Sequence, residues 1–458
     1  MGKIVSINPT TEEVYGSLDE TSNAELGEIV KRAREDNEWG RKSVQERVHV
    51  IMGLINLLNE NRDTLAQTMA LEIGKAVSAG RHEIELSAKR VEMFCMQIPG
   101  FIEETILFED EKEKNVVRYE PLGVAAVISP WNAPVFVSLA NIIPQLLVGN
   151  NIIWKPSEYA SFSGLRLKAL FDILKKNGLT EGAFQVVIGG KDVGRKLVES
   201  SVNIVALTGG VRAGKEVMES SADKLHTIVL ELGGKDPAIV LMDADIERAA
   251  VEIVKSATMY TGQVCFGVER VYCHADVYNE FVESCVGEVK KIVVGDPLDE
   301  RTAMGPFAVR FQFEKVLSHI RDALEKGARL LCGGERIREK GYFMSPGVMV
   351  DVNHNMKIMQ EETFGPIVPI MKFYNTKEAI ELANDSLYGL TGSVWTGDLT
   401  MGEKIAQQIR TGTVEINRHG MSKAGCPWGG CKLSGIGRIY SKEGIRSFCH
   451  VKHIWILK

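Results

Sequence analysis

One cysteine, set between glycines, is the first feature of the sequence that could do chemistry. Cys265 lies in the stretch GQVCFG, where Gly262 and Gly267 give the loop more backbone freedom than a buried structural cysteine needs. A thiolate is a strong nucleophile, but free cysteine is ionised only to a small extent at neutral pH. We therefore expect a site that either lowers the pKa of this thiol or supplies a base beside it.

A glycine-rich stretch has the composition of a nucleotide-phosphate site. TGGVRAGKE follows the predicted strand NIVAL and opens a predicted helix, so Gly209, Gly210 and Gly214 would let a pyrophosphate approach the helix N-terminus. The stretch also resembles a P-loop, but Glu216 stands where the magnesium-binding Ser or Thr belongs, which argues against an ATPase. The alternative is that these glycines serve only as turn and cap residues.

The stretch WKPSE supplies groups that suit a ribose. Lys155 and Glu158 follow the predicted strand NNIIW, where a lysine can donate to ribose hydroxyls and a carboxylate can accept from them. A carboxylate at this position would also repel a 2′-phosphate, which favours NAD over NADP. The alternative is an ordinary surface pair beside a proline turn.

These loops require sheets to hold them. Residues 24–101 show helical spacing of apolar side chains and almost no proline, which predicts a helical layer. Short β-branched runs then alternate with helix-length segments, which predicts two α/β units with parallel sheets, divided near Gly233 and Gly234. The predicted strands are NVVRYE, VAAVIS, NNIIW, QVVI, NIVAL and HTIVLEL, followed by PAIVL, VERVYCH, ARLLCGG and VPIMKF.

Length, charge and cysteine usage restrict the class of protein. The 458 residues suffice for two or three cores, and 60 acidic against 54 basic residues give a net charge of −6 without a basic run that would favour nucleic acid. The eight cysteines are dispersed without a zinc pattern, so we expect a cytoplasmic, reducing location and no metal. No apolar run reaches the ~18 residues of a membrane helix, so no membrane partner is expected.

Seven short motifs occur in the order and approximate spacing of the NAD(P)-dependent aldehyde dehydrogenase superfamily, which the chain resembles from about Asn8 to its C-terminus. They are SPWNAP, WKPSE, LELGGKDP, GQVC, EETFGP, EIN and PWGGCKLSGIGR. The resemblance implies an α/β fold with two Rossmann-like domains and an oligomerisation arm that joins subunits into a homodimer or homotetramer. Its implied boundaries are 1–102 and 122–233 for dinucleotide binding, 234–433 for catalysis, and 103–121 and 434–458 for the arm and C-terminal tail.

The resemblance also implies a reaction, the oxidation of a small-molecule aldehyde to a carboxylic acid with NAD or, alternatively, NADP. Cys265 would add to the aldehyde carbon, Asn132 would donate to the resulting oxyanion, and Glu231 would activate the water that hydrolyses the thioester. The implied cofactor contacts are Ser129, Trp131, Lys155, Ser157, Glu158, Gly189, Gly209, Gly210, Gly214, Leu232, Glu362 and Phe364.

The chain departs from common members of the superfamily in its pocket residues. Ala133, Ala140 and Ser422 are small where bulky residues are usual, which predicts a wide pocket. Arg418 and His419 could meet an anionic substrate, although a solvated or intersubunit basic pair is the alternative.

Two functions from other classes stay open at this point. One is a cofactor-free cysteine acyl hydrolase, and the other is a non-catalytic protein that retains the fold. Dependence of activity on the dinucleotide separates both from a dehydrogenase.

Overall fold

The computed structural model describes residues 2–420, 423 and 425–458, and begins with a hairpin and a layer of helices. The hairpin strands are β1 (Lys3–Ile7) and β2 (Val14–Asp19). The helices are α1 (Asn23–Glu35), α2 (Glu38–Arg41), α3 (Val44–Glu60), α4 (Arg62–Ile73) and α5 (Val77–Phe101), followed by strands β3 (Thr105–Glu109) and β4 (Glu113–Pro121). The predicted helical layer is confirmed. A capping box of Ser43 and Glu46 begins α3, which then buries Ile51, Leu54 and Leu58 in the core.

The first sheet contains five parallel strands in the order β9-β8-β5-β6-β7. The strands are β5 (Val124–Ile128), β6 (Asn151–Lys155), β7 (Phe184–Val186), β8 (Ile204–Thr208) and β9 (Thr227–Glu231). The helices that connect them are α6 (Phe136–Val148), α7 (Ser161–Lys176), α8 (Lys191–Val198) and α9 (Val211–Ser221). Strands β5 and β6 are apolar on both faces because helices cover the sheet on both sides.

The second sheet has the order β12-β13-β14-β11-β10-β15-β16, and β12 alone runs antiparallel to its neighbour. Its strands are β10 (Asp236–Val240), β11 (Val268–His274), β12 (Arg329–Cys332), β13 (Gly347–Val350), β14 (Ile367–Phe373), β15 (Thr391–Trp395) and β16 (Thr413–Ile416). Its helices are α10 (Ile246–Thr258), α11 (Tyr278–Lys290), α12 (Arg310–Glu325), α13 (Lys357–Gln360), α14 (Thr376–Asn384) and α15 (Leu399–Ala406).

The C-terminal segment returns to the first sheet before it reaches the antiparallel pair β3 and β4. It contains β17 (Pro427–Trp428), β18 (Gly435–Ile436), β19 (Ile439–Tyr440), α16 (Lys442–Arg446) and β20 (Cys449–Leu457). Strand β18 pairs with β9, and Trp428, Tyr440 and Phe448 pack into the core beneath the first sheet. Strand β20 then completes a separate three-stranded sheet in the order β20-β4-β3.

The predicted α/β class is confirmed, and every predicted strand stretch overlaps an observed strand. In the part of the chain that is described, no helix is long and apolar enough to cross a bilayer.

Candidate active site

The predicted site residues follow the carboxyl ends of neighbouring strands in the first sheet. Residues 129–132 follow β5, Lys155 ends β6 and residues 156–158 follow it, residues 209–210 follow β8, and Glu231 ends β9. Parallel strands bring their carboxyl ends to one edge, and ligands of open α/β sheets bind beyond that edge. The topology therefore assembles motifs that are up to a hundred residues apart in the sequence.

Cys265, Glu231 and Asn132 line one cavity of about 300 Å³. The cavity is formed by loops of both sheets, because Asn132 follows β5 of the first sheet and Cys265 precedes β11 of the second. Its walls are mainly apolar and aromatic, formed by Leu86, Phe136, Val137, Met259, Tyr260, Val264, Phe266, Trp428, Ile439 and Tyr440. An apolar cavity with a few convergent polar groups is typical of a small-molecule site.

The backbone before Cys265 is strained. Tyr260 and Thr261 have φ of 50° and 63°, which side-chain-bearing residues rarely adopt, and Gly262 follows with φ of 70°. A Cβ on Gly262 would lie 2.2 Å from the carbonyl carbon of Gly365, so only glycine fits there. Strain of this kind persists where surrounding contacts hold it, and it clusters at functional sites.

The electrostatics of the cavity favour a neutral thiol. Burial raises the pKa of Cys265, and the carboxylates of Asp236, Glu231 and Glu362 raise it further. The sequence predicted either a lowered thiol pKa or a base beside the thiol. The structure does not lower the pKa of Cys265. The thiol requires a base when it adds to a carbonyl.

Glu231 has an environment suited to proton exchange with a water molecule in the cavity, rather than to lowering the pKa of the thiol. Its side chain is only 4% exposed, and neither carboxyl oxygen has a hydrogen-bond partner among the described residues. Burial raises the pKa of Glu231 well above its ordinary value, although the charge of Arg438 opposes the shift. Gly429 leaves room for this carboxyl, since a Cβ there would lie 2.8 Å from its Oε1. A buried, unpartnered carboxyl facing a cavity is suited to exchange protons with a ligand.

Asn132 is held by the loop that carries the nucleophile. Its Nδ2 donates to the carbonyl oxygen of Gln263 at 2.8 Å. An amide nitrogen carries two N–H groups, so this bond fixes the side chain and leaves the second N–H for a ligand in the cavity.

The stretches predicted to bind phosphate and ribose lie at the same edge of the first sheet. Gly210 is the N-cap of α9, and a Cβ there would meet no heavy atom within 4 Å, so the helix N-terminus faces open space. Gly214 has a packing role, because a Cβ there would lie 2.7 Å from Cδ1 of Leu232, which itself lines the cavity. Lys155 is buried, with its Nζ 3.6 Å from Oε2 of Glu158.

Glu362 and Phe364, in the loop before β14 of the second sheet, contact Gly234 and Trp131. Glu362 accepts a hydrogen bond from the backbone N–H of Gly234 at 3.1 Å, and burial raises its pKa to about 7. Phe364 has a left-handed backbone, with φ of 55°, and its ring meets the edge of Trp131 with centroids 5.8 Å apart. The predicted cofactor residues of the two sheets therefore include buried and half-buried polar side chains, Lys155 and Glu362, that could bind a polar ligand.

Three predicted cofactor residues, Ser129, Ser157 and Gly189, make close contacts within the protein. The hydroxyl of Ser129 accepts from Ser138 Oγ at 2.7 Å and from Trp154 Nε1 at 2.8 Å. The hydroxyl of Ser157 accepts from the N–H of Tyr159. Gly189 packs against Val193, which a Cβ would approach to 2.3 Å.

The two basic residues near the cavity have different positions. His419 is only 7% exposed, and its Nε2 lies 2.8 Å from the carbonyl oxygen of Phe266, so it supports the nucleophile loop from behind. Arg418 lines the cavity, with its Nε 2.9 Å from Oε1 of Glu415. Ala133 and Ala140 also line the cavity, and Ser422 lies outside the described residues.

Sequence reasoning missed several residues of the site. Lys75 and Glu83 form a buried ion pair at its edge, and Tyr440 lines the cavity with a left-handed φ of 73°. No motif marked these positions. A charged pair eight residues apart in a helical region carries no signal of burial. Within the described residues, no group of three or more His, Cys, Asp or Glu side chains is arranged to hold a metal ion.

Comparison with known proteins agrees with this geometry. The aldehyde dehydrogenase family matches residues 2–454. An aldehyde dehydrogenase of Paenarthrobacter nicotinovorans is 35% identical over 457 residues, which cover 99% of each chain. An NADP-dependent enzyme of E. coli superposes with a TM-score of 0.96 at 32% identity, covering 100% of this chain and 95% of that one. Betaine aldehyde dehydrogenase of Staphylococcus aureus, solved with NAD+, superposes with a TM-score of 0.93 at 31% identity, covering 99% of this chain and 91% of that one.

The chain belongs to the aldehyde dehydrogenase family. It is an oxidoreductase that oxidises aldehydes with NAD or NADP. The relatives favour this activity over a cofactor-free hydrolase and over a non-catalytic protein with the same fold.

Proposed function

We propose that Cys265, Glu231 and Asn132 carry out the oxidation of an aldehyde to a carboxylic acid in the cavity described above. The observation that supports this assignment most strongly is the convergence of a thiol, an amide and a buried carboxyl with two unpartnered oxygens on one apolar cavity. The sulfur of Cys265 adds to the aldehyde carbon, its proton passes to solvent water, and the carbonyl π electrons move to the oxygen to give the anion of a thiohemiacetal. The free N–H of Asn132 donates to the oxygen that gains negative charge.

The dinucleotide, when bound, supplies the acceptor for the hydride that leaves the aldehyde carbon. Lys155 and Glu158 would hold one ribose, Gly209 and Gly210 the pyrophosphate, and Glu362 the second ribose. A thioester then remains on Cys265. Glu231 takes a proton from the water that attacks the thioester carbon, and release of the carboxylic acid restores the thiol.

We infer a preference for NAD from the Lys155 and Glu158 pair. Glu158 lies on the exposed side of Lys155 and adds a negative charge where a 2′-phosphate would need a positive one. Reduction of NAD and of NADP with the same aldehyde tests this preference, and a higher kcat/KM with NADP would contradict it.

We infer that the physiological aldehyde carries a bulky apolar or aromatic group. Five aromatic rings line the cavity, and Ala133 and Ala140 leave space that larger side chains would fill. Burial of such a group against these walls gains roughly 25 cal/mol per Å² of apolar surface, whereas a small polar aldehyde would leave the walls wet. Benzaldehyde, hexanal and acetaldehyde compared by kcat/KM test this class, with acetaldehyde expected to be the poorest. Ala133→Phe should reduce the use of benzaldehyde more than that of acetaldehyde.

We also propose the domain boundaries that the sequence suggested, 1–102 with 122–233, 234–433, and 103–121 with 434–458. The three-stranded sheet of β3, β4 and β20 carries exposed apolar side chains, with Trp455 64% exposed and Phe108 48%. A second copy of the chain would cover these side chains and the unpaired strand edges. Trp455→Asp should lower the mass measured by light scattering, whereas Tyr374→Asp, at an exposed residue of the second domain, should leave it unchanged.

The cytoplasm is proposed as the location, since all eight cysteines are unpaired. The overall activity is tested by following reduced nicotinamide with purified protein and the aldehyde panel. Cys265→Ala should abolish the signal. Turnover of an activated ester at the same rate with and without NAD, and no reduction of NAD, would instead indicate the hydrolase.

A further inference from the structure

A buried ion pair lies between the two loops that bring Asn132 and Cys265 together. The ammonium of Lys75 contacts the Oε2 atom of Glu83, and the two side chains are 3% and 1% exposed. A buried ion pair gives little net stability, because removing two charges from water costs about as much as their attraction returns. The contacts of each partner point to a role in positioning.

Glu83 holds the end of the loop that carries Asn132. Its Oε1 accepts from the N–H of Val135 at 2.9 Å and from the N–H of Phe136 at 3.0 Å. These groups lie at the N-terminus of α6, three and four residues after Asn132. A carboxylate there forms charge-assisted hydrogen bonds and interacts favourably with the helix dipole. Glu83 therefore fixes where the Asn132 loop ends and the helix begins.

Lys75 contacts the loop that carries Cys265. Its Nζ lies 3.8 Å from the centroid of the Tyr260 ring, a cation–π contact in a desolvated site. Tyr260 is the first of the left-handed residues before the nucleophile, and its carbonyl accepts from both the backbone N–H and the side-chain Nε2 of Gln263. Gln263 in turn accepts from Asn132. The contacts therefore form a closed ring that runs from Glu83 through the Asn132 loop, the Cys265 loop and Lys75 back to Glu83.

We propose that Lys75 and Glu83 are positioning residues that set the location of the Asn132 amide relative to the sulfur of Cys265. The proposal rests on the function proposed for Asn132, because the pair acts only through that amide. Glu83 fixes the Asn132 loop, Lys75 fixes Tyr260, and their ion pair couples the two positions across the boundary between the domains. The position of this amide matters because catalysis depends on hydrogen-bond donors that already point at the atom where negative charge develops.

A double-mutant cycle tests the proposal. Glu83→Gln is made in the wild-type chain and in Asn132→Ala, and the rate of the first turnover is measured by rapid-mixing detection of reduced nicotinamide. We expect Glu83→Gln to lower this rate about tenfold in the wild-type chain and less than about twofold in Asn132→Ala, since coupled residues are not additive. The Kd of the dinucleotide should not change in either background.

A matched control comes from Glu72 of α4, another buried carboxyl that accepts hydrogen bonds from the N-terminus of a different helix. It is 1% exposed and accepts from the N–H groups of Phe162 and Ser163 at the start of α7, a helix that belongs to neither loop. Glu72→Gln should lower the Tm without lowering the first-turnover rate. If Glu83→Gln does not fold, Lys75→Met gives the same cycle, because it retains the contacts of Glu83 to α6.

The possible results separate this proposal from the function on which it rests. Equal loss of rate in both backgrounds would show a purely structural role and would overturn the positioning proposal alone. An unchanged first-turnover rate in Asn132→Ala itself would overturn the role of Asn132, and the positioning proposal with it. A tenfold loss that disappears in Asn132→Ala supports both.

Discussion

The Nδ2 atom of Asn132 lies 2.8 Å from the carbonyl oxygen of Gln263, two residues before Cys265. One hydrogen bond therefore connects the proposed oxyanion donor, in the loop after β5, to the proposed nucleophile loop before β11. Asn132→Ala should lower the first-turnover rate by about 10²- to 10³-fold, the usual effect of removing one such donor. Stopped-flow detection of reduced nicotinamide measures it, with dinucleotide binding by fluorescence as the control. A loss below about threefold would remove Asn132 from the mechanism.

Glu231→Gln should separate the two halves of the reaction. The carboxyl is buried without a partner, and its replacement by an amide removes the proton acceptor but retains the shape. We expect a rapid first turnover followed by a steady-state rate lowered by about 10²-fold or more. Burst amplitude and steady-state rate are read from the same trace, and an unchanged steady-state rate would exclude Glu231 as the base.

The raised pKa of Glu231 predicts a pH dependence of thioester hydrolysis. A raised pKa means that the carboxyl keeps its proton to a higher pH than an ordinary glutamate, and only the deprotonated form accepts a proton from water. Hydrolysis should therefore become slower as the pH falls. The decrease in the hydrolysis rate should begin at a pH above the range in which an ordinary glutamate titrates. Single-turnover measurements over a pH series test it, and the dependence should disappear in Glu231→Gln.

Gly214 and Gly210 should respond differently to the same substitution. A Cβ on Gly214 would lie 2.7 Å from Leu232, so Gly214→Ala should lower stability by about 1 to 3 kcal/mol through overpacking. A Cβ on Gly210 meets open space within 4 Å, so Gly210→Ala should leave the Tm unchanged and weaken dinucleotide binding. Thermal unfolding and binding titrations distinguish the two, and a stable Gly214→Ala with an unstable Gly210→Ala would contradict the packing described.

The sequence predicted those parts of the fold that local pattern determines. The strands of the first sheet are short β-branched runs bounded by turns, and each was predicted within a few residues. Asp243 and Asp245 both have the residue type of a helix N-cap before α10. The structure uses Asp245, which accepts from the N–H of Arg248, while Asp243 accepts from Thr396. Strands β13, β15 and β16 were missed because their runs are short and contain Gly, Thr or Glu.

Features that depend on distant contacts could not be predicted. The motifs identified Cys265, Glu231 and Asn132, but not that burial and three carboxylates would raise the pKa of the thiol. Lys75 and Glu83 are ordinary charged residues in the sequence, and their burial follows only from the packing of α4, α5 and α6. His419 has the sequence context of a substrate ligand, yet the fold directs it to the backbone of Phe266.

Intact-protein mass spectrometry of Glu231→Gln, incubated with benzaldehyde and NAD, tests the central claim most directly. The account predicts an acyl adduct that accumulates on Cys265, identified by peptide mapping and absent from the same protein carrying Cys265→Ser. Formation of reduced nicotinamide without any adduct on Cys265, or with the adduct on another of the eight cysteines, would contradict it.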